Sequence, residues 1–313
     1  MKRLMILICG ILLLTGCTDI RTRLLPDILA VDFAEQVQFA AHTSQETGII
    51  SAAAETALQM PEALRNAAGA EISTGHLTML AVSGNPCAVL EAYFQAQMRA
   101  PTCAVLSVPA DACGQLRAGE LPAPAQLAAA AETGLLPDRT ADAVLADLWG
   151  GSGVTAVCTA AEAGLTLTLW TASGCCGTLS GDACRGLALL GKRKKSFAFA
   201  AEGITYRIVS DALAVQVTER ETLHIAVTGT ICTEPPLTDA AAHRLTEMLT
   251  AAVTETACTH GADLLFLREH AIRSGISAAR SCSQEEWRSL LQSADCSVAL
   301  NHQKPRRFVA FRC

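Results

Sequence analysis

With 313 residues, 50% of them hydrophobic, the chain is long enough for two packed domains and too apolar to be disordered. Aromatic residues make up only 4%, so leucine, valine, isoleucine and alanine must fill the cores. A formal net charge of −6 argues against nucleic acid as the main partner, because phosphate binding needs an excess of basic side chains.

The N-terminus begins Met1-Lys2-Arg3 and then runs apolar from Leu4 to Leu14. Crossing a bilayer takes about 20 apolar residues, whereas a basic start, a short apolar run and small residues make a secretory signal. The run ends in Leu14-Thr15-Gly16-Cys17, which looks like a lipobox: a branched residue, two small ones that fit a peptidase cleft, and a thiol. Residues 1–16 are then a lipoprotein signal peptide, and Cys17 becomes a new N-terminus alkylated by diacylglycerol. Two acyl chains hold a protein stably on a membrane, where one gives only marginal binding. Loss of Lys2 and Arg3 with the leader takes the formal charge from −6 to −8.

Thr18 to Pro26 is polar and reads as a tether into the first domain. Asp27 to Asp32 and Glu35 to Ala41 follow as short strands. Ser51 to Ala70 is rich in Ala, Leu, Glu and Gln and predicts a helix interrupted at Pro61. Gly75-His76 opens an apolar strand that runs to Val82, Cys87 to Met98 predicts a helix, and Cys103 to Val108 the next strand. Strand, helix, strand is a crossover pattern, so residues 17–150 read as a mixed α/β domain, within which 110–150 reads as a helical subdomain. Gly150-Gly151-Ser152-Gly153 marks the boundary.

Beyond it, Val154 to Cys158, Leu165 to Trp170, Phe197 to Ala201 and Ile204 to Val209 are β-rich. Leu213, Val215 and Val217 alternate with polar or small residues, as do Leu223, Ile225 and Val227, which predicts an antiparallel hairpin around Thr218-Glu219-Arg220-Glu221. Thr238 to His260 carries the helical recurrence Leu245, Leu249, Ala252, with Met248 and Val253 beside it. A second helix is expected at Gln284 to Leu291 and closing strands at Cys296 to Leu300 and Phe308 to Phe311. The fold class is thus α+β and multi-domain: a mixed α/β N-terminal domain, then a C-terminal domain, 151–313, whose mostly antiparallel sheet packs against a long helix.

Motifs of chemistry are scarce. No G-x-G-x-x-G, P-loop, H-E-x-x-H or G-x-S-x-G occurs, so the sequence points away from an enzyme and toward no cofactor. The histidines are scattered, and Cys258-Thr259-His260 and Glu269-His270 read as a helix end rather than a metal site. Of fourteen cysteines, Cys9 leaves with the leader and Cys17 takes lipid; the remaining twelve, irregularly spaced and without C-x-x-C, read as small buried thiols rather than a full disulfide framework. Lys192-Arg193-Lys194-Lys195 and Lys304, Arg306 and Arg307 are basic clusters, read as solvated turns before anionic-lipid contacts.

The lipobox with Cys17-Thr18-Asp19-Ile20-Arg21, the strand and helix leading into Gly75-His76-Leu77, Cys184-Arg185-Gly186-Leu187-Ala188-Leu189, the Leu245 helix, Ala262-Asp263-Leu264 and the Trp287 helix together resemble the C-subunit lipoproteins of bacterial spore germinant receptors, the Ger(x)C family. Thr18 and Thr22 stand where that family usually has tryptophan and glutamate, and Leu265 and Leu267 where it has glycines. The resemblance implies a non-enzymatic subunit, anchored by diacylglycerol to the outer face of the cell membrane (in spores, the inner spore membrane). It would work with A-type and B-type integral-membrane subunits in nutrient-triggered germination. It marks Asp19 and Arg21 as membrane-proximal motif positions and Gly75, His76 and Trp287 as structural or partner positions. The alternative from the sequence is an extracytoplasmic solute-binding lipoprotein of a transporter, which would need two similar lobes.

Overall fold

The computed structural model describes residues 23–33, 35–44, 48–95, 100–161, 164–191 and 196–302. The lipobox, Cys17, Asp19, Arg21, both basic clusters and the strand expected at 308–311 lie outside the described residues.

Strands β1 (Pro26–Phe33), β2 (Val37–Thr43) and β3 (Gly48–Ala54) make an antiparallel meander. Helix α1 (Met60–Ala68) follows, and then β4 (Met79–Ser83), α2 (Pro86–Gln95) and β5 (Ala104–Val108) form the expected crossover, with β1, β4 and β5 parallel. The single helix expected over 51–70 is corrected. Residues 51–54 belong to β3, where pairing with β2 overrides the helix propensity of alanine. Pro61 sits in the first turn of α1, where its missing N–H costs nothing, and so starts the helix instead of interrupting it.

Three short helices, α3 (Ala112–Ala118), α4 (Pro124–Glu132) and α5 (Ala141–Gly150), occupy the expected helical stretch. After Gly150-Gly151-Ser152-Gly153, β6 (Thr155–Ala161) pairs in parallel with β5, and β7 (Gly164–Thr171) and β8 (Gly174–Thr178) extend the same sheet, giving the order β3-β2-β1-β4-β5-β6-β7-β8. The expected division at residue 150 therefore does not coincide with the division between the sheets. The glycines end α5, but the buried segment Thr155 to Cys158 fills the open edge of β5 and carries the chain back into the first sheet.

Helix α6 (Gly181–Leu190) leads to the second sheet, built from β9 (Phe197–Ala201), β10 (Ile204–Glu219) and β11 (Leu223–Glu234) in antiparallel pairing. The two segments expected at 204–209 and 213–217 are one strand with a bulge between Ile208 and Ser210. Helix α7 (Asp239–Val253) continues as a wider π turn, Thr254–Thr259, and α8 (Leu267–Arg273), α9 (Ser277–Ser281) and α10 (Gln284–Gln292) return the chain to β12 (Asp295–His302), which pairs in parallel with β11.

One face of the first sheet is covered by α1, α2 and α5 through Met60, Leu64, Leu90, Tyr93 and Leu145. The other is covered by α3, α4 and α6 through Leu116, Leu127 and Leu187, joined there by Ala252 and Ala262. The second sheet buries one face against Leu245, Met248, Leu249 and Trp287. Helices α6 and α7 thus lie between the two sheets. Helix α7 shows why: Thr238 caps it by accepting the Ala241 N–H at 3.2 Å, and its stripe is wholly buried. Burying each large apolar side chain contributes about 2 kcal/mol. The architecture is α+β, as the sequence implies.

Candidate functional site

Where the chain enters the described structure, it is pinned at once. Leu24 N–H donates to Glu71 O at 2.9 Å, and Ser73 N–H donates to Leu24 O at 3.0 Å. Thr78 then donates to Asp27 O from both its N–H, at 2.8 Å, and its hydroxyl, at 2.7 Å. Between these two clamps lies the tight turn Thr74–His76, with Thr74 and Leu77 buried and Gly75 and His76 exposed. Gly75 and His76 therefore precede β4 rather than opening it. They are presented to solvent beside the point at which the described chain begins.

Trp287 has the opposite environment. Fully buried on α10, it donates its indole Nε1–H to Asp263 Oδ2 at 2.9 Å. Asp263, also buried, accepts the Leu267 N–H at 2.5 Å and the Arg268 N–H at 2.9 Å. Phe266, just before them, holds a left-handed φ of +55°, a strained conformation for a phenylalanine that persists only when its surroundings determine it. The Asp263 carboxylate, gripping the next two amides, does so. Leu265 and Leu267 thus occupy a turn built by a carboxylate rather than by glycine.

This cluster also joins the two halves of the chain. Asp263 N–H donates to Ser152 Oγ at 3.1 Å; Arg288 donates to Ser152 O at 2.9 Å, and Gln284 Nε2 to Leu148 O at 2.9 Å and Trp149 O at 3.0 Å. Beneath it, Arg139 forms a buried ion pair with Asp147 and donates to Thr155 Oγ1 at 2.9 Å and Ala156 O at 2.8 Å. Burial raises the pKa of both Asp147 and Asp263. For Asp147 the Arg139 guanidinium works against the rise and the Asp263 charge adds to it; for Asp263 the N–H donors oppose it.

Of the residues expected from sequence, Trp287 and Asp263 meet, and Gly75 and His76 lie together elsewhere. Arg139, Asp147, Ser152 and Thr155 are the partners that sequence reasoning missed. The one available signal was an arginine just before a mostly apolar helix and an aspartate within it. His260 packs its imidazole over Gly177, where a Cβ would come within 2.4 Å of the ring. Among the described residues no three metal-binding side chains converge, and no helix is long and apolar enough to cross a membrane.

No family model matches the chain, and no curated protein matches it. Among solved structures, the crystal structure of the GerBC protein matches with a TM-score of 0.53 at 13% identity, over 89% of this chain and 97% of that one. The chain thus has a GerBC-like, α+β fold.

Proposed function

We propose that the protein is a lipid-anchored, non-enzymatic subunit of a spore germinant receptor, acting with A-type and B-type integral-membrane subunits in nutrient-triggered germination. The observation that carries this reading is the correspondence with the GerBC fold over 89% of this chain, reached independently of the lipobox and motifs that resemble the receptor C subunits.

Physically, a diacylglycerol on Cys17 would confine the protein to the outer face of the membrane, in spores the inner spore membrane. Confinement raises the effective concentration at membrane partners without any new contact. Leu24 lies seven positions after Cys17, a reach of at most about 25 Å when fully extended. The clamp at Leu24, and Gly75 and His76 beside it, then lie at the membrane-proximal end, within reach of the extracytoplasmic loops of the other subunits. Asp19 and Arg21 lie within the tether. Because the Asp263–Trp287 cluster joins the two halves, a load on one surface would pass to the other through packed elements rather than a hinge.

The test is affinity capture of the intact lipoprotein from spore membranes. Recovery of both membrane subunits is expected; capture with neither, or no synthesis during sporulation, overturns the proposal. A transporter-linked solute-binding lipoprotein would need two like lobes around a cleft, whereas the sheets among the described residues have eight and four strands.

A further inference from the structure

Strands β1, β4, β5 and β6 run parallel and side by side, so the segments that lead into them share one end of the first sheet. The Leu24 clamp leads into β1 and the Thr74–His76 turn into β4. The approach to β6 lies at this end too, because Thr155 Oγ1, on the first residue of that strand, donates to Asp147 Oδ2 of α5 at 3.0 Å. Trp149, two residues after Asp147, is 60% exposed. A Cβ on Gly151 would come within 3.3 Å of the Asp263 Cβ, so Phe266, 59% exposed, stands on the other side of the same backbone contact. In a chain with only 4% aromatic residues, these are the two most exposed large apolar side chains among the described residues.

We propose that Trp149 and Phe266 form a second membrane contact, seated in the headgroup layer of the bilayer that holds the diacylglycerol, an inference that rests on the lipid-anchor reading. Three strand spacings, about 14 Å, separate β1 from β6. The tether from Cys17 to Leu24 spans at most about 25 Å, so the sheet end it enters is held close to the bilayer, with Trp149 at that same end. An indole suits this layer: its ring is apolar and its N–H donates to headgroup or water, which is why tryptophan collects at membrane interfaces. A flexible lipid tether by itself leaves the protein free to swivel. A protein contact beside it fixes which end faces the bilayer, and Gly75 and His76, at the same end, are then held at headgroup level, where loops of an integral-membrane partner emerge. A protein partner is the other occupant that could cover these two rings, and vesicles free of other proteins separate the two.

The test uses the full lipidated chain in vesicles of phosphatidylglycerol and phosphatidylcholine, the latter brominated near the headgroup end of its acyl chains. Bromine quenches tryptophan emission only at close range, and of the other two tryptophans Trp287 is buried and Trp170 half-buried. Quenching relative to unbrominated vesicles is expected, with loss of the quenched component in Trp149→Phe and its return when Phe266→Trp is added. Each change exchanges one exposed aromatic ring for another and leaves the cores untouched. Mass spectrometry of the N-terminal peptide reports the anchor separately. Lipidated Cys17 with no quenching, or with quenching unchanged in Trp149→Phe, overturns the contact and leaves the anchor standing; Cys17 without lipid overturns both. No return of quenching with Phe266→Trp removes Phe266 from the contact.

Discussion

Asp263 is a buried carboxylate that accepts three N–H donors and still has its pKa raised, because loss of hydration outweighs those bonds. Its folded pKa stands above the ordinary 3.8, so the folded state binds more protons in that window. Stability should then fall as pH rises from 3.8 through the raised value. In Asp263→Asn the fall should be shallower, which urea denaturation at a series of pH values will measure; an unchanged slope would assign the pH dependence to Asp147 or elsewhere. Trp287→Phe removes the indole donor and leaves Asp263 Oδ2 one partner short, at a cost of about 2–4 kcal/mol in the same assay. His76 lies exposed, and His76→Ala should change stability by less than about 0.5 kcal/mol. If the turn touches a membrane subunit, that variant should stay membrane-bound yet recover several-fold less of its partners from spore membranes. Sequence alone ranked Trp287 and His76 together as motif positions; only burial separates a structural residue from a surface one.

At the level of elements, the packing of α6 on α7 explains a glycine that sequence could quote but not interpret. A Cβ on Gly186 would come within 2.1 Å of Met248 O and 2.7 Å of the Ala252 methyl, so the two helices approach to backbone contact there. Gly186→Ala would gain about 1 kcal/mol of helix propensity but force the helices apart, and overpacking of this kind costs about 1–3 kcal/mol. A net loss of stability is expected, read as a lower urea midpoint at constant slope. Elements whose own pattern matches their environment were legible: the α7 stripe, the β10–β11 hairpin and the β4-α2-β5 crossover all follow from local periodicity. The alanine-rich residues of β3 and the cysteine-bearing β8 were not, because each is a strand only by virtue of a neighbour's free edge.

For the whole molecule, the proposed diacylglycerol anchor on Cys17 makes a direct prediction. Cys17→Ala should abolish incorporation of labelled palmitate and move the protein from the membrane to the soluble fraction of sporulating cells. Retention on the membrane in that variant would mean that protein contacts, not lipid, hold it there. The sequence by itself determined the acidic and aromatic-poor character, the order of most helices and strands, and the α+β class, since these depend on composition and on spacing along the chain. Tertiary structure alone decided that residues 155–178 complete the first sheet, that α6 and α7 lie between the sheets, and that Ser152, Asp263 and Trp287 meet. Those outcomes turn on which free edge and which buried donor lie nearest in space, and residues 111 positions apart in sequence, as Ser152 and Asp263 are, leave no local trace of their partnership.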